Sequence, residues 1–196
     1  KVLQSFEDKF AKLIDLTNTA TEGSNRIKTI VQDLRLFSRL DDEQQEKITL
    51  ATIIKSTIHL VKTQFHDIDI NIDIISDPLI KAFPAKLSQV FMNIIVNASQ
   101  AIQTRKLIDE QLIGSINISL LEKNNYVYIE FNDNGCGMDD VTLKKVFDPF
   151  FTTKDVGDGT GLGMAISFGI IEEHGGIIEI NSKINEGSSL KIKLPI

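Results

Sequence analysis

The stretch Tyr126–Asp140, YVYIEFNDNGCGMDD, runs from a segment built for a β-strand straight into one that a strand interior would not carry. Val127, Ile129 and Phe131 recur at every second position, the period of a half-buried strand. Asp133, Gly135 and Gly137 follow at the same step, and both residue types are depleted from strands. An ordinary turn satisfies this pattern. So does a binding pocket, in which the carboxylate at the strand end accepts a hydrogen bond from an exocyclic amine and the two glycines let a flat ring lie against the chain. The stretch alone leaves both readings open.

Upstream, Ile116, Ile118 and Leu120 alternate in the same way, which predicts a hairpin partner across Glu122–Asn125, EKNN. Ile68, Ile70, Ile72 and Ile74 interleave with Asp69, Asn71 and Asp73 as another half-buried strand. Ile48 to Leu50 reads as a short strand, followed by a helix from about Ala51 to Gln64. Pro84 suits the first turn of a helix reaching about Thr104. A further helix from Gly163 to His174 stops at Gly175-Gly176, and two final strands hold Ile178 and Ile180, then Leu190, Ile192 and Leu194, joined across Asn185–Ser188. From Met138 to Thr160 regular pattern fails, and a loop of that length in a compact domain is usually a functional lid or disordered. These elements predict an α+β fold: a two-layer sandwich of a mixed, mostly antiparallel sheet with helices on one face and the other face wet.

The first forty residues follow a different rule. Leu13, Leu16, Ala20, Gly23, Ile27, Ile30, Leu34 and Phe37 fall at alternating steps of three and four, a heptad seam on one long coiled-coil-like helix from about Ser5 to Leu40. Gly23 within it costs about 1 kcal/mol relative to alanine. A seam with small residues at its middle suits a partner helix, from this chain or another copy, and a homodimer through this element is the expectation. Asp41–Lys47, DDEQQEK, lacks apolar period and reads as a linker, dividing the chain into residues 1–44 and 45–196.

Composition narrows the function. With 21 basic against 27 acidic residues and a net charge of −6, no general footprint for nucleic acid exists. The single cysteine, Cys136, excludes an internal disulfide framework and points to a reducing compartment. No apolar run approaches the roughly 18 residues of a membrane span. The chain opens at Lys1 inside a helical pattern, as an excised piece would, so a targeting or membrane segment could lie outside it.

Three further features carry chemistry. In AKLSQVFMNIIVNASQAI, residues 85–102, Gln89, Asn93, Asn97 and Gln100 line up at steps of four, four and three on a helix whose other positions are largely apolar. A solvated stripe would favour Lys, Glu and Arg; amide oxygens are hard neutral ligands that can join phosphate oxygens around magnesium. In FDPFFTTK, Phe147 to Lys154, aromatics around Pro149 can pin a loop base, and Lys154 can offer a mobile positive charge to phosphate. In GDGTGLGMAIS, Gly157, Gly159, Gly161 and Gly163 alternate into a helix N-terminus, which makes either a phosphate cradle or a hinge.

In this order the four segments resemble the N box, first glycine box, F box and second glycine box of the catalytic ATP-binding domain of two-component sensor histidine kinases, members of the Bergerat-fold ATPase superfamily. The resemblance spans Ile48 to Ile196, and SNRIKTIVQDLRLFSRLD resembles the second helix of their dimerization and phosphoacceptor hairpin. It implies ATP and Mg2+ as cofactors, Asn97 as the metal ligand with Asn93 beside it, and Asp133 as the acceptor for the adenine amine with Gly135 and Gly137 shaping that pocket. It implies phosphate contacts from Lys154 and the backbone at Gly159, Gly161 and Gly163, with Phe147 to Phe151 anchoring a lid. Gln100, Met138, Phe150, Thr153, Thr160 and Leu162 join the implied ATP-lining set. The resemblance also implies a response-regulator receiver domain as partner and a cytoplasmic location, as part of a sensor that could be membrane-anchored.

The chain departs from the family in informative ways. Its histidines, His59, His66 and His174, do not sit in the phosphoacceptor setting, and all three read as structural, His174 at a helix end where a cation is favoured. The chain alone is therefore expected to bind ATP without phosphorylating itself. Many relatives place a lysine where this chain has Gln100, and Arg105 stands as a candidate substitute. Gyrase-type relatives place a general-base glutamate where this chain has Asn93, which cannot take a proton from water at neutral pH. The competing expectations are a non-catalytic nucleotide-binding scaffold and an oligomerization domain whose glycines are hinges.

Overall fold

The computed structural model describes residues 12–14, 16–17, 20–21, 23–24, 44–154 and 159–196. The helix expected from Ser5 to Leu40 lies outside the described residues for most of its length. The pieces within 12–24 are helical, with Leu13, Ile14 and Leu16 exposed. Gly157 also lies outside the described residues.

From residue 46 onward the chain forms β1 (Glu46–Ile48), α1 (Leu50–Lys62), β2 (Ile68–Ile74), β3 (Ile80–Ala82), α2 (Pro84–Lys106), β4 (Gly114–Lys123), β5 (Tyr126–Asp133), α3 (Asp140–Lys145), α4 (Gly163–Glu173), β6 (Ile177–Lys183) and β7 (Gly187–Pro195). A five-stranded sheet runs in the order β2-β4-β5-β7-β6, with β2 parallel to β4 and every other pair antiparallel; β1 and β3 pair separately. The parallel pair requires a crossover, and β3 with α2 supplies it. The α+β sandwich expected from the sequence is thus the fold observed.

Strand alternation sorts the sheet into two faces. Ile118, Ile129, Phe131, Leu190 and Ile192 are buried beneath α2, which also packs against α1 and α4, and Ile70 is buried on the same face where β2 meets α1. This three-sided contact explains why Leu87, Val90, Phe91, Ile94, Ile95 and Ile102 cover most of the circumference of α2, all of them almost fully buried. On the open face the register sets Asn71, Asn117, Asn132, Ser189 and Asn181 side by side across all five strands. Asn71 Nδ2 donates to Asn117 Oδ1 at 3.2 Å within this row.

Two elements went unread in the sequence. β3 is three residues long, too short for a period to show. α3 has six residues and no apolar stripe, but Asp139 caps it, accepting from Thr142 N–H at 2.7 Å. Leu50, expected in a strand, instead starts α1, whose first N–H groups donate to Asp77 Oδ1 at 3.0 and 3.3 Å. That carboxylate arrives from 27 residues away and completes a helix end that the Thr49 side chain does not cap.

His174 is structural, as expected, but it is not the cation that its helix-end position favours. Its Nε2 accepts from Phe83 N–H at 3.0 Å while Nδ1 meets Ile170 O at 2.7 Å, which requires the neutral ring with its proton on Nδ1. Burial pushes the imidazole below its ordinary value. Beside it, the buried Lys86 ammonium makes a two-pronged ion pair with Glu173 at 2.6 and 2.8 Å, so this cluster ties the start of α2 to the end of α4. In the unfolded chain His174 takes up a proton near pH 6.5, before the folded form does, so stability falls as pH drops below that value. Urea unfolding between pH 7.5 and 5 is expected to show this slope, at most about 1.4 kcal/mol per pH unit, and His174→Leu is expected to lose that part of it.

Candidate functional site

Helix α2 is the spine of the site. It presents Asn93, Asn97, Gln100, Ala101 and Arg105 toward the segments following β5 and preceding α4, over roughly 18 Å at 1.5 Å per residue. Each motif singled out in the sequence docks on a different turn.

At the N-terminal end of this stretch, Asn93 Nδ2 donates to Gly163 O at 2.9 Å and to Ser167 Oγ at 3.2 Å, holding the start of α4 against α2. No side chain caps α4, whose Leu162 N-cap is buried, so its leading N–H groups and dipole make the beginning of the helix receptive to an anion. One turn further, the Lys154 ammonium donates to Asn97 Oδ1 at 3.3 Å and to Gln100 Oε1. Lys154 thus brings a positive charge beside Gln100. Arg105 does not take that part. Its guanidinium lies at the other end of the site and donates to the carbonyls of Asn134 at 2.9 Å and Gly135 at 3.4 Å.

The loop after β5 seats itself on the last turns of α2. Cys136 N–H donates to Ala101 O at 3.0 Å, and a Cβ on Gly135 would lie 2.7 Å from Ala101 Cβ. Asn134 continues the strand pairing with its side chain, accepting from Ser115 N–H at 2.8 Å and donating to Ile113 O at 2.8 Å. From the other side the β6–β7 turn closes in: Asn185 N–H donates to Cys136 O at 2.7 Å and Met138 N–H to Ser182 Oγ at 2.8 Å. Gly137, at φ +66°, lies where a Cβ would meet Lys183 O at 2.0 Å. Close packing on Ala101 and on Lys183 O thus gives both glycines a structural reason that the sequence did not disclose.

Asp133 ends β5 on its inward-facing side, in register with Ser188. Its Oδ1 accepts from Gly135 N–H at 2.8 Å, and a carboxylate has lone pairs for further donors. Burial pushes this carboxyl above its ordinary value, with the backbone N–H groups of Gly135 and Ser188 pulling against it. Burial likewise raises the Cys136 thiol, and the nearby Asp133 adds to that, so Cys136 is protonated at neutral pH and is no nucleophile.

The ends of the segment between α3 and α4 meet where Phe150 N–H donates to Gly161 O at 2.9 Å. Both residues have positive φ, +67° and +68°, and a Cβ on Gly161 would lie 2.4 Å from Phe150 C. A bulky residue in that region is strained, so the junction holds Phe150 there. Phe147 packs on Phe168 with ring centroids 5.5 Å apart, while Phe150 is largely exposed. Thr153 is exposed, Gly159 lies against Thr152 and Lys154, and Thr160 Oγ1 accepts from Leu162 N–H at 3.3 Å.

The groove fits a metal only as part of a larger ligand. Among the described residues no group of three His, Cys, Asp or Glu side chains could hold an ion. Asn97 Oδ1 already faces a cation, the Lys154 ammonium, but one neutral oxygen needs further oxygens brought by the ligand itself, as phosphates would. Recesses of about 450 and 280 Å³ lie on the open side of the sheet and include none of the α2 residues, although Asp133 borders the first. They are lined by the Asn and Ser row and lack any glycine-rich turn onto a helix N-terminus, so the α2 groove is the better site.

Residues 83–196 match the family described as histidine kinase-, DNA gyrase B-, and HSP90-like ATPase. The chain is 34% identical over 184 residues to the sensor kinase CckA of Brucella abortus, covering 89% of this chain and 19% of that protein. It is 37% identical over 176 residues to the signal transduction histidine-protein kinase AtoS of Escherichia coli, covering 87% of this chain and 27% of that protein. The chain thus spans about a fifth to a quarter of the length of these relatives. The catalytic domain of the histidine kinase ThkA, solved in a nucleotide-free form, superposes with a TM-score of 0.66 at 26% identity, covering 78% of this chain and 95% of that domain.

Proposed function

The chain belongs to the histidine kinase-, DNA gyrase B- and HSP90-like ATPase family, as a histidine-kinase catalytic ATP-binding domain, and on that premise we propose that it transfers the ATP γ-phosphate to a histidine on a helix outside this sequence, for relay to a response-regulator aspartate. The observation that carries the proposal is the gathering of an acid loop, an amide pair, a lysine and a glycine-rich turn along one helix. In this reading the Asp133 carboxylate accepts the adenine amine, with Gly135, Gly137 and Met138 forming the floor beneath the ring. Asn97 supplies one neutral oxygen to Mg2+, whose chemistry when bound is to neutralise charge on the phosphate oxygens. Lys154, the backbone at Gly159, Gly161 and Gly163, and the N-terminus of α4 hold the phosphates, with Phe150, Thr153, Thr160 and Leu162 around them. Residues 1–44 supply the second helix of a dimerization hairpin and residues 45–196 the catalytic domain, and the chain works as a homodimer on the cytoplasmic side.

Asn93 decides between transfer and hydrolysis. Its amide is engaged with Gly163 and Ser167, and it cannot accept a proton from water. A general base typically contributes about 10²- to 10⁴-fold, so steady-state ATP hydrolysis is expected to lie lower by about that factor than in relatives with a glutamate there. Transfer to imidazole needs positioning and charge neutralisation more than a base. Titrating the chain with a fluorescent ATP analogue and Mg2+, then adding a separate polypeptide that carries a phosphoacceptor-type histidine helix, tests both steps. The expected result is saturable binding and an acid-labile phosphate on the added polypeptide. Tight binding with no label on any such polypeptide would instead favour the nucleotide-binding scaffold.

A further inference from the structure

In this structure the oxygen assigned above to the metal already accepts from a cation. Lys154 Nζ donates to Asn97 Oδ1 at 3.3 Å, and Gln100, one turn beyond Asn97 on the same face of α2, accepts from the same ammonium through Oε1. Lys154 lies on the segment leading to Gly159, whose backbone sits against the lysine stem: a Cβ there would be 3.1 Å from Lys154 Cδ. An ammonium and a divalent ion within about 4 Å of each other on one amide oxygen repel, so each disfavours the other there.

We propose that Gln100 is a positioning residue that parks the Lys154 ammonium on Asn97 Oδ1, so that Lys154 and a nucleotide-borne divalent ion disfavour one another there. The inference rests on the nucleotide reading of the groove. Its consequence is a trade: metal-free nucleotide finds a positive charge already in place, whereas metal-loaded nucleotide must first move it. Gln100 therefore sets how strongly nucleotide binding depends on magnesium.

Two measurements on the full chain test this. The first compares dissociation constants of a fluorescent ATP analogue with Mg2+ and with EDTA. Gln100→Met is expected to raise the ratio of the EDTA value to the Mg2+ value by roughly three- to fivefold, the scale of an exposed charged pair. Gln100→Lys places a second ammonium on the helix and is expected to lower the ratio by a similar factor. The second measurement needs no nucleotide: mass spectrometry follows the rate at which an amine-reactive reagent modifies Lys154, which Gln100→Met is expected to raise relative to Lys123. An unchanged ratio in both variants, or unchanged Lys154 labelling in Gln100→Met, overturns the proposal. Failure of the unmodified chain to bind the analogue at all overturns the nucleotide reading, while the labelling still decides whether Gln100 parks the lysine.

Discussion

Asp133→Asn is expected to weaken binding of adenine nucleotides by about tenfold to a hundredfold while raising the melting temperature of the nucleotide-free protein. The first effect follows from the loss of a charge-assisted hydrogen bond between the carboxylate and the adenine amine, about 1.5–3 kcal/mol. The asparagine oxygen can still accept from Gly135 N–H, so the loop keeps its anchor. Its amide nitrogen then faces the ligand as a donor, which suits the C6 carbonyl of an inosine or guanine nucleotide, and discrimination between ATP and ITP is expected to shrink with it. The second effect has the opposite sign for a physical reason. Burial raises the Asp133 carboxyl above its ordinary value, so the folded state holds its proton more tightly than the unfolded chain does. Such a group favours folding while protonated and loses that contribution as pH rises through the raised value, so the charged form costs stability at neutral pH. Equilibrium titration with both nucleotides, together with thermal melts of the apo variant, reads both signs. A variant that loses stability and affinity together would mean that Asp133 is a structural acid only.

Gly137→Ala is expected to destabilise the domain by about 2–5 kcal/mol, adding the cost of a left-handed non-glycine residue to that of a forced overlap. The Cβ would stand 2.0 Å from Lys183 O, a backbone atom that cannot swing aside. At about 2–4 °C per kcal/mol for a domain of this size, the melting temperature should drop by roughly 5–20 °C. Gly169 is the matched control. It sits within α4 with nothing within 4 Å of its missing Cβ, and Gly169→Ala is expected to stabilise by about 0.5–1 kcal/mol. Chemical unfolding of the two variants beside the unmodified chain tests the pair. Equal small effects would mean that the β6–β7 turn is not clamped against the loop as described.

What was legible in the sequence and what was not divide along sequence distance. β2 could be read because four isoleucines alternate with acids and asparagine, and α2 because its amides repeat at helical steps along an apolar rod. The hairpins were legible from turn residues, and Asn124, Asn125 and Asn185 do take positive φ there. β3 and α3 escaped because three and six residues are shorter than the windows, about 4–8 for a strand and 11–18 for a helix, over which a period shows. The setting of the acid loop escaped for a different reason. Arg105, Ser182, Asn185 and Gly187 lie 28 residues or more from Asp133 in one direction or 49 or more in the other, and nothing local marks them as its supports. The structural role of His174 was legible but its neutral state was not, because its helix-end position favours charge while its partner Phe83 N–H, 91 residues away, demands a lone pair.

Because every working segment is bolted to a different turn of one helix, the chain has very unequal tolerance for changes in length. A residue inserted into α2 between Asn97 and Ala101 advances everything beyond it by 1.5 Å and rotates it by about 100°, so the Ala101 and Arg105 contacts would point into the core. No neighbouring loop can compensate for a rotation of that size. A residue added to the connection from Phe150 to Gly161 leaves in place the hydrogen bond that ties its ends, at a closure cost that grows slowly with length. Size variation in descendants of this sequence should therefore collect in that connection, while α2 keeps its residue count even where its side chains drift.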